Sequence, residues 1–538
     1  RVSFPVEIQY YLAGASVVAA LALLGTPNQH RLRVGNVLLM LVTLFVASFL
    51  LHAYTGNKLG KTNASVAAEQ SEMQLRIVAM ARAIQTTGFH DLAGVLGESG
   101  GTGKGGTSQL PEHKKTDIDV QVEHKAVSEA EAALQKAIQQ NPKIGLYKAK
   151  LAVLLAESNP SSNAGTIADL LKQVAQTEGT DEAAAAVRSL GAVLQGAYVE
   201  HKVAADAVQG DARTIESAIS AGWYRDHALQ QLYSVAGNKR LEAQHQSAVD
   251  HKYLSVAVNL LMIIVVIVGA SLIGLATIIV QAALSSRDKV ALPDEVGLNM
   301  SWRTIYSVFI GWFAIEILMS MAYHYLQGSL PSASTQAFGL ALSTAITYVL
   351  SNLAGPLLIY FLACKPQGLS FWKTLHLTFR TSTAGRPKLV AAGILGWCSA
   401  VPLVLTAALL ANKLFGVQGS DNPVLGQIMQ AASASSIPAT LTFYLTLGVL
   451  APFFEEILFR GFIYASLKTK IGSSWAIVSS AALFALMHFD RGGALMLFVI
   501  GVVLAFLYER TRSLVPSMIC HGMWNSGTFT FALLLFGS

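Results

Sequence analysis

Ten long apolar stretches limit what this chain can fold into. Each has roughly the 20 apolar residues that a helix needs to cross a bilayer. Backbone polar groups inside a membrane must be satisfied within the chain, so such stretches form helices. The sequence therefore predicts an all-α, polytopic bundle of about ten transmembrane helices. The predicted spans are 8–25, 35–54, 253–284, 302–326, 336–364, 389–412, 438–467, 473–489, 494–508 and 514–536.

One long segment between the second and third spans carries most of the charge. The whole chain is 53% hydrophobic and 13% charged, whereas soluble domains carry about 25% charged residues. Residues 57–252 hold 20 Lys/Arg and 22 Asp/Glu, a net charge of −2; the remainder holds 18 and 10, a net charge of +8. We interpret 57–252 as a soluble insert. The predicted order is two N-terminal spans (1–56), this insert, further spans and loops (253–385), and a last group of transmembrane helices (386–538).

The basic loops predict the orientation of the chain in the membrane. Lys and Arg follow the first, third, fifth, seventh and ninth spans, as Lys468 and Lys470 do, and they mark cytoplasmic loops. Lys413 and Arg491 are exceptions. With ten alternating spans both termini and the insert face outward, so we expect a bacterial plasma-membrane protein with 57–252 outside the cytoplasm. Such loops are topology signals, so no nucleic-acid partner is expected. Because the chain begins with Arg1, we expect it to be trimmed, and a lost leader is compatible with it.

The insert is predicted to be mainly helical. Ala and Leu recur at helical spacing, and Asn-Pro pairs at 141–142 and 159–160 separate the helices. The stretch 130–157 resembles a tetratricopeptide unit, whose arrays bind extended peptides. Since such arrays need about three repeats, a generic helical bundle is the competing interpretation. A protein partner of the insert is a further expectation. The predicted helices are 127–138, 144–157, 164–176, 181–199 and 204–221.

Three acids lie well inside predicted spans: Glu316, Glu455 and Glu456. A charge at bilayer depth costs about 2.5–3.5 kcal/mol on insertion scales and tends to be functional. On a helix Glu456 and Arg460 share a face, so they are expected to pair. Glu455 points about 100° away from Glu456 and is left free for chemistry. The alternative is that both acids only neutralise a buried arginine.

Two later spans each contain a pair of motif residues four positions apart. The eighth contains Phe484-x-x-x-His488, and the tenth contains His521-x-x-x-Asn525, whose ends share a helix face. Counted from the cytoplasmic helix ends, Glu455 and His488 lie about 20 and 22 Å deep, but His521 only about 10 Å. The final helix must start earlier or tilt for all three to meet.

These motifs, Glu-Glu-x-x-x-Arg, Phe-x-x-x-His and His-x-x-x-Asn, resemble in order those of the CAAX protease and bacteriocin-processing (Abi) family of intramembrane endopeptidases. The resemblance covers roughly 389–536 and implies that 386–538 is a catalytic transmembrane domain of this family's type. It implies that Glu455 is the general base and that His488 helps to hold the attacking water. It also implies that His521 and Asn525 stabilise the oxyanion, with Glu456 and Arg460 in support. The implied substrate is a membrane-associated protein or peptide.

A metal-dependent mechanism is the alternative. One Glu and two His make up a catalytic zinc set, with Glu455, His488 and His521 as the candidate ligands. The tight His-Glu-x-x-His spacing of zinc peptidases is absent, so we expect no metal and no other cofactor.

Two other classes of function compete with an endopeptidase. A non-catalytic membrane scaffold of the same fold would show a broken motif, and all four key positions are intact. A proton-coupled transporter also uses intramembrane Glu and His. No hydropathy repeat supports a transporter, and we interpret Glu316 as a hydrogen-bonded packing acid.

Overall fold

The structure is a computed structural model of the chain. It describes parts of 68–83, and then 117–179, 182–285, 297–327, 337–379, 386–415, 436–488, 490 and 492–536. Within these ranges the secondary structure is helical and no strand occurs, which confirms the all-α prediction. The described residues divide into two compact units, one mainly from 57–264 and the other from 265–422 and 436–530.

The first unit is a helical array. Each of its helices packs on the next, and α2, α4 and α6 also touch one another. Four of the five predicted helices match α1 to α4 with shifted ends, and α5 is shorter than predicted. Helix α6 was not predicted. The helices are α1 (Asp117–Gln140), α2 (Gly145–Ser158), α3 (Pro160–Ala175), α4 (Glu182–Tyr198), α5 (Val208–Ala218) and α6 (Trp223–Val235).

This unit buries its apolar side chains together with a few charges that are paired. Asp226, for example, accepts hydrogen bonds from Lys252 Nζ at 3.0 Å and from the Tyr253 hydroxyl at 3.1 Å. All the exposed large hydrophobic side chains of the described residues lie at Leu261 or beyond. Among the described residues the array therefore has a polar surface, whereas the later helices present the apolar surface of membrane spans.

The later helices form the membrane part. Six of them are long and apolar enough to cross a bilayer, and Ser473–Met487 is a shorter apolar helix. The chain is thus an integral, multi-pass membrane protein; the count of ten remains a prediction, and the spans predicted at 8–25 and 35–54 lie outside the described residues. The helices are α7 (Lys239–Ser285), α8 (Trp302–Gln327), α9 (Ala337–Asn352), α10 (Ala354–Leu358, π-helical over Ile359–Cys364), α11 (Phe371–Thr374), α12 (Arg386–Phe415), α13 (Ile437–Ile471), α14 (Ser473–Met487), α15 (Ala494–Thr511) and α16 (Leu514–Phe536).

Helix α13 is irregular where the motif acids lie. It is π-helical over Thr446–Leu450 and again over Ile457–Tyr464, and the short α-helical segment Ala451–Glu456 lies between. Such π-segments are rare and occur often at functional sites, because they turn side chains and free carbonyl groups. Helix α13 packs against α9, α14 and α15.

Helix α16 approaches α13 closely through glycine. A Cβ on Gly522 would lie against the carbonyl oxygen of Gly448. Small residues let transmembrane helices pack backbone to backbone. This contact places the residues around Gly522 beside the motif acids of α13.

Candidate active site

A buried chain of three charged or polar side chains supports the site. Arg460 Nη1 donates to Glu456 Oε1 at 2.8 Å, and Nδ1 of His521 lies 2.9 Å from the same oxygen. The side chains of Glu456 and Arg460 have no exposed surface, and that of His521 is 4% exposed. The expected pair of Glu456 and Arg460 is thus present, and it extends to the histidine of another helix.

His521 therefore meets the acids of α13, although the depth count placed it about 10 Å too shallow. Helix α13 runs for 35 residues. At 1.5 Å per residue this is about 52 Å, well beyond the roughly 30 Å apolar core of a bilayer. A depth counted from the end of such a helix is too large. Helix α16 begins at Leu514 as predicted, so the depth counted for His521 keeps its starting point. The error therefore lies in using the end of α13 as the membrane surface when the depth of Glu455 was counted.

Glu455 has two oxygen atoms with different surroundings. Oε1 accepts a hydrogen bond of 2.7 Å from the Tyr348 hydroxyl. Oε2 is buried and has no hydrogen-bond partner among the residues that the structure describes. It lies 3.9 Å from Nε2 of His488 and 3.8 Å from Nε2 of His521. Both distances exceed a direct hydrogen bond. They are within reach of a single bridging water.

His488 is held by the end of α14. The helix ends at Met487, and the His488 backbone N–H bonds to Ala485 rather than to Phe484. The Phe484 carbonyl is left without its helical donor, and Nδ1 of His488 lies 2.8 Å from it. A carbonyl oxygen only accepts, so Nδ1 carries the proton and Nε2 of the neutral ring is an acceptor.

The Phe484 ring packs among the polar groups of the site. Its centroid lies 4.7 Å from that of His488 and 5.6 Å from that of His521. The Arg460 guanidinium carbon lies 4.5 Å from the centre of the same ring, a cation–π distance. This phenylalanine, 1% exposed, orients both histidines, which gives a physical reason for its place in the second motif.

Asn525 is placed differently from the other three motif residues. Its Nδ2 donates to the Leu447 carbonyl at 3.0 Å. In this π-helical segment the N–H of Ala451 bonds to Thr446, and Pro452, the π-type donor for Leu447, has no N–H. The carbonyl of Leu447 is therefore free to bind Asn525. One amide hydrogen of Asn525 is used in joining α16 to α13, and the second remains.

Sequence reasoning missed the groups that α8 and α9 bring to the site. Tyr348 was not a candidate. Glu316 was interpreted as a hydrogen-bonded packing acid, and its contacts with Ser351 and Trp312 agree with that; its electrostatic proximity to Glu455 was not predicted. The spacing of Tyr348, Ser351 and Asn352 (i, i+3, i+4) in a transmembrane span is a signal of a polar helix face.

The three candidate zinc ligands lie together. Nε2 of His488 and Nε2 of His521 lie 3.9 and 3.8 Å from Oε2 of Glu455, and their Nδ1 atoms contact Phe484 and Glu456. Among the described residues no group of three or more His, Cys, Asp or Glu side chains is arranged closely enough to hold a metal ion.

Comparison with known proteins confirms the resemblance predicted from the motifs. Residues 437–527 match the model of the family described as type II CAAX prenyl endopeptidase Rce1-like. This segment contains Glu455, Glu456, Arg460 and the three motif residues of α14 and α16. The membrane part of the chain thus carries the sequence of CAAX-protease-like proteins.

Individual relatives match segments of limited length, and the chain spans less than half of the length of the first two, 32% and 41%. The putative membrane peptidase YdiL of Bacillus subtilis (strain 168) is 32% identical over 78 residues, 14% of this chain and 32% of that protein. The UPF0177 protein in the abiGi 5′ region of Lactococcus lactis subsp. cremoris is 34% identical over 99 residues, 18% of this chain and 41% of the relative. UPF0177 protein YxdF of Lactococcus lactis subsp. lactis (strain IL1403) is 27% identical over 137 residues, 25% of this chain and 70% of the relative. No solved structure matches significantly.

Proposed function

We propose that the chain is an intramembrane endopeptidase that hydrolyses a peptide bond in a membrane-associated protein or peptide. The observation that carries the proposal is the arrangement around Glu455 Oε2. This oxygen has no hydrogen-bond partner and lies 3.8 and 3.9 Å from Nε2 of His521 and His488. A carboxylate poised one water away from two imidazoles is suited to general-base hydrolysis. The family matched by 437–527 is described as a prenyl endopeptidase.

In the proposed reaction Glu455 is the general base. A water molecule donates one hydrogen to Oε2 of Glu455 and the other to Nε2 of His488, which is an acceptor in the neutral ring. Glu455 takes the proton as the water oxygen attacks the peptide carbonyl. The C–N bond then breaks, and the proton on Glu455 passes to the leaving nitrogen. One water is consumed, and a carboxyl group and an amine are released.

The negative oxygen of the intermediate needs donors. Since Nδ1 of His521 faces the Glu456 carboxylate, its Nε2 donates only when both ring nitrogens are protonated. Glu456 is suited to stabilise that imidazolium, because it lies 2.9 Å away and is buried. The second amide hydrogen of Asn525 is the other proposed donor. Glu456 and Arg460 act as supporting residues.

We further propose that the reaction needs no metal, with zinc as the alternative. The missing His-Glu-x-x-His spacing supports the proposal. A zinc-dependent mechanism would use the same three residues as the metal-free one. Substituting these residues would abolish both mechanisms, so treatment with a chelator is the experiment that distinguishes them.

The test compares cleavage in membranes. Cells express the wild-type chain, Glu455→Gln, or Glu200→Gln, the same substitution at an exposed position of the soluble unit. New protein N termini in the membrane fraction are then identified by mass spectrometry. We expect a set of new N termini with the wild type and with Glu200→Gln that disappears with Glu455→Gln. Identical sets from Glu455→Gln and the wild type would refute Glu455 as the base.

One observation favours a second function. Glu316 lies within electrostatic range of Glu455 and Tyr348. Acids that lie near one another inside a membrane also suit a proton relay. Purified protein in liposomes with an imposed pH gradient distinguishes the two functions. A peptidase gives cleavage without proton flux, whereas flux that is lost in both Glu316→Gln and Glu455→Gln would favour transport.

A further inference from the structure

Tyr348 contacts the proposed base from outside the region that carries the motifs. Its hydroxyl donates to Oε1 of Glu455 at 2.7 Å. The residue lies in α9, outside the matched segment 437–527. A hydrogen bond from a neutral donor to a carboxylate is among the stronger ones and has a fixed geometry.

The backbone around Tyr348 is fixed by the end of α9. The Tyr348 carbonyl accepts hydrogen bonds from Ser351 Oγ at 3.2 Å and from Asn352 Nδ2 at 3.1 Å. Helix α9 ends at Asn352, and Pro356 has no N–H for the Asn352 carbonyl and crowds it. Both side chains that bind this carbonyl are buried, with 4% and 6% exposure. The position of the tyrosine is therefore set by the helix end.

The bond makes the two oxygens of Glu455 inequivalent. Because Oε1 is occupied by the hydroxyl, rotation of the carboxylate would break a hydrogen bond in a buried place. Oε2 is thereby held toward Nε2 of His488 and His521, where it has no hydrogen-bond partner. A base that must accept a proton from one particular direction gains from such a constraint.

We propose that Tyr348 is a positioning residue of the peptidase site, which holds Glu455 so that Oε2 alone faces the histidines and the attacking water. This inference rests on the proposed function. It extends the site from the matched segment to α9, so that the part of the chain before 386 contributes to the chemistry.

Other ionisable groups face the same carboxylate and bear on its pH dependence. His488 of α14 and His521 of α16 lie on the Oε2 side. Glu316 of α8 and the Glu456–Arg460 pair of α13 lie within electrostatic range. These groups stay unchanged when only the Tyr348 hydroxyl is removed, so the pH profile of that variant isolates its effect on Glu455.

The test is Tyr348→Phe, with Tyr323→Phe as the matched control. The Tyr323 hydroxyl also joins α8 to α9, by a 3.2 Å contact with Thr344 that does not involve Glu455. The substrate is a synthetic peptide spanning the most frequent new N terminus found in wild-type membranes. For Tyr348→Phe we expect kcat to fall about 10- to 100-fold, the effect of losing one hydrogen bond to a charged group. KM should change by less than about twofold, because the contact is not with substrate.

The pH profile gives a readout that a merely structural role would not move. The hydroxyl stabilises the ionised carboxylate more than the protonated one. The acid limb of kcat/KM should therefore move to higher pH in Tyr348→Phe and stay in place in Tyr323→Phe. If Tyr348→Phe and Tyr323→Phe have equal kcat values and equal acid limbs of kcat/KM, the inference about Tyr348 is overturned. The proposed function would still stand in that case, provided that Glu455→Gln abolishes cleavage.

Unfolding measurements test the bond without any cleavage. Free energies of unfolding are compared for Tyr348→Phe, Glu455→Gln and the double variant. Coupled effects are expected if the hydroxyl binds Glu455, and additive effects would refute the positioning role even if the single variants fold poorly. Coupling in a chain that cleaves nothing would refute the proposed function alone.

Discussion

The buried chain of Arg460, Glu456 and His521 makes a quantitative prediction. Replacing Glu456 by alanine removes the acceptor that Arg460 Nη1 and His521 Nδ1 share, at 2.8 and 2.9 Å. Neither charged side chain of the pair has any exposed surface. Glu456→Ala therefore leaves a guanidinium in the protein interior without its counter-charge.

The expected cost follows from what Arg460 keeps. Breaking a buried pair by removing one partner costs about 3–5 kcal/mol. Arg460 retains a 3.2 Å bond from Nη2 to the Gly501 carbonyl, and the face of Phe484 at 4.5 Å. These contacts place its share near the lower limit, about 3 kcal/mol. The lost partner of His521 adds about 1 kcal/mol, so we expect Glu456→Ala to lower the free energy of unfolding by about 4 kcal/mol.

The free energy is measured by SDS-induced unfolding in mixed micelles. Lys125→Ala is the control, because Lys125, whose side chain is 76% exposed, pairs with Glu129 at 3.9 Å, and loss of such a pair costs less than about 1 kcal/mol. Replacing both partners, as Glu456→Leu with Arg460→Met, should restore most of the stability, since apolar pairs of similar volume replace buried ion pairs well. A cost for Glu456→Ala no larger than that for Lys125→Ala would refute the reasoning.

Three further predictions concern packing, the metal and the soluble unit. Gly522→Ala pushes a Cβ against the Gly448 carbonyl, so it should cost about 1–3 kcal/mol of stability and displace His521. The control is Gly527→Ala, whose Cβ meets nothing within 4 Å. It should change neither the thermal unfolding temperature nor the rate of cleavage. Cleavage should persist after treatment with EDTA or 1,10-phenanthroline, and loss of activity that zinc restores would establish the metal mechanism. Deleting 130–195, from α1 to α4, should weaken capture of a protein substrate by on the order of tenfold and spare cleavage of a short peptide; unchanged capture in a pull-down would contradict recruitment by this unit.

Local spacing rules predicted the part of the site that lies on one helix. Glu456 and Arg460 are four residues apart, so their pairing follows from helix geometry alone. Glu455 was correctly placed on a different face, since its carboxylate bonds to Tyr348 of α9 and not to Arg460. The roles assigned to these residues, and to His488, His521 and Asn525, remain predictions.

Contacts between helices could not be derived from spacing. The depths of Glu455 and His521 disagreed because each was counted from a helix end, and α13, with 35 residues, is longer than the bilayer core is thick. The free carbonyl of Leu447 depends on a π-helical turn, for which Pro452 was the only local signal. Tyr348 and Glu316 enter the site through the packing of α8 and α9. A polar face at i, i+3 and i+4 indicates that a helix has a polar neighbour, but does not identify it.

The adjacent acids of the motif differ in the donors that hold them. Among the described residues each has one buried oxygen, Oε2, without a hydrogen-bond partner, and such an oxygen is costly in a buried site. Oε1 of Glu455 accepts only from the neutral hydroxyl of Tyr348. Oε1 of Glu456 is shared by the guanidinium of Arg460 and by Nδ1 of His521. The free oxygen of Glu455 lies 3.8–3.9 Å from Nε2 of the two histidines. It is therefore this position beside the histidines, and not the free oxygen alone, that distinguishes Glu455 as the proposed base.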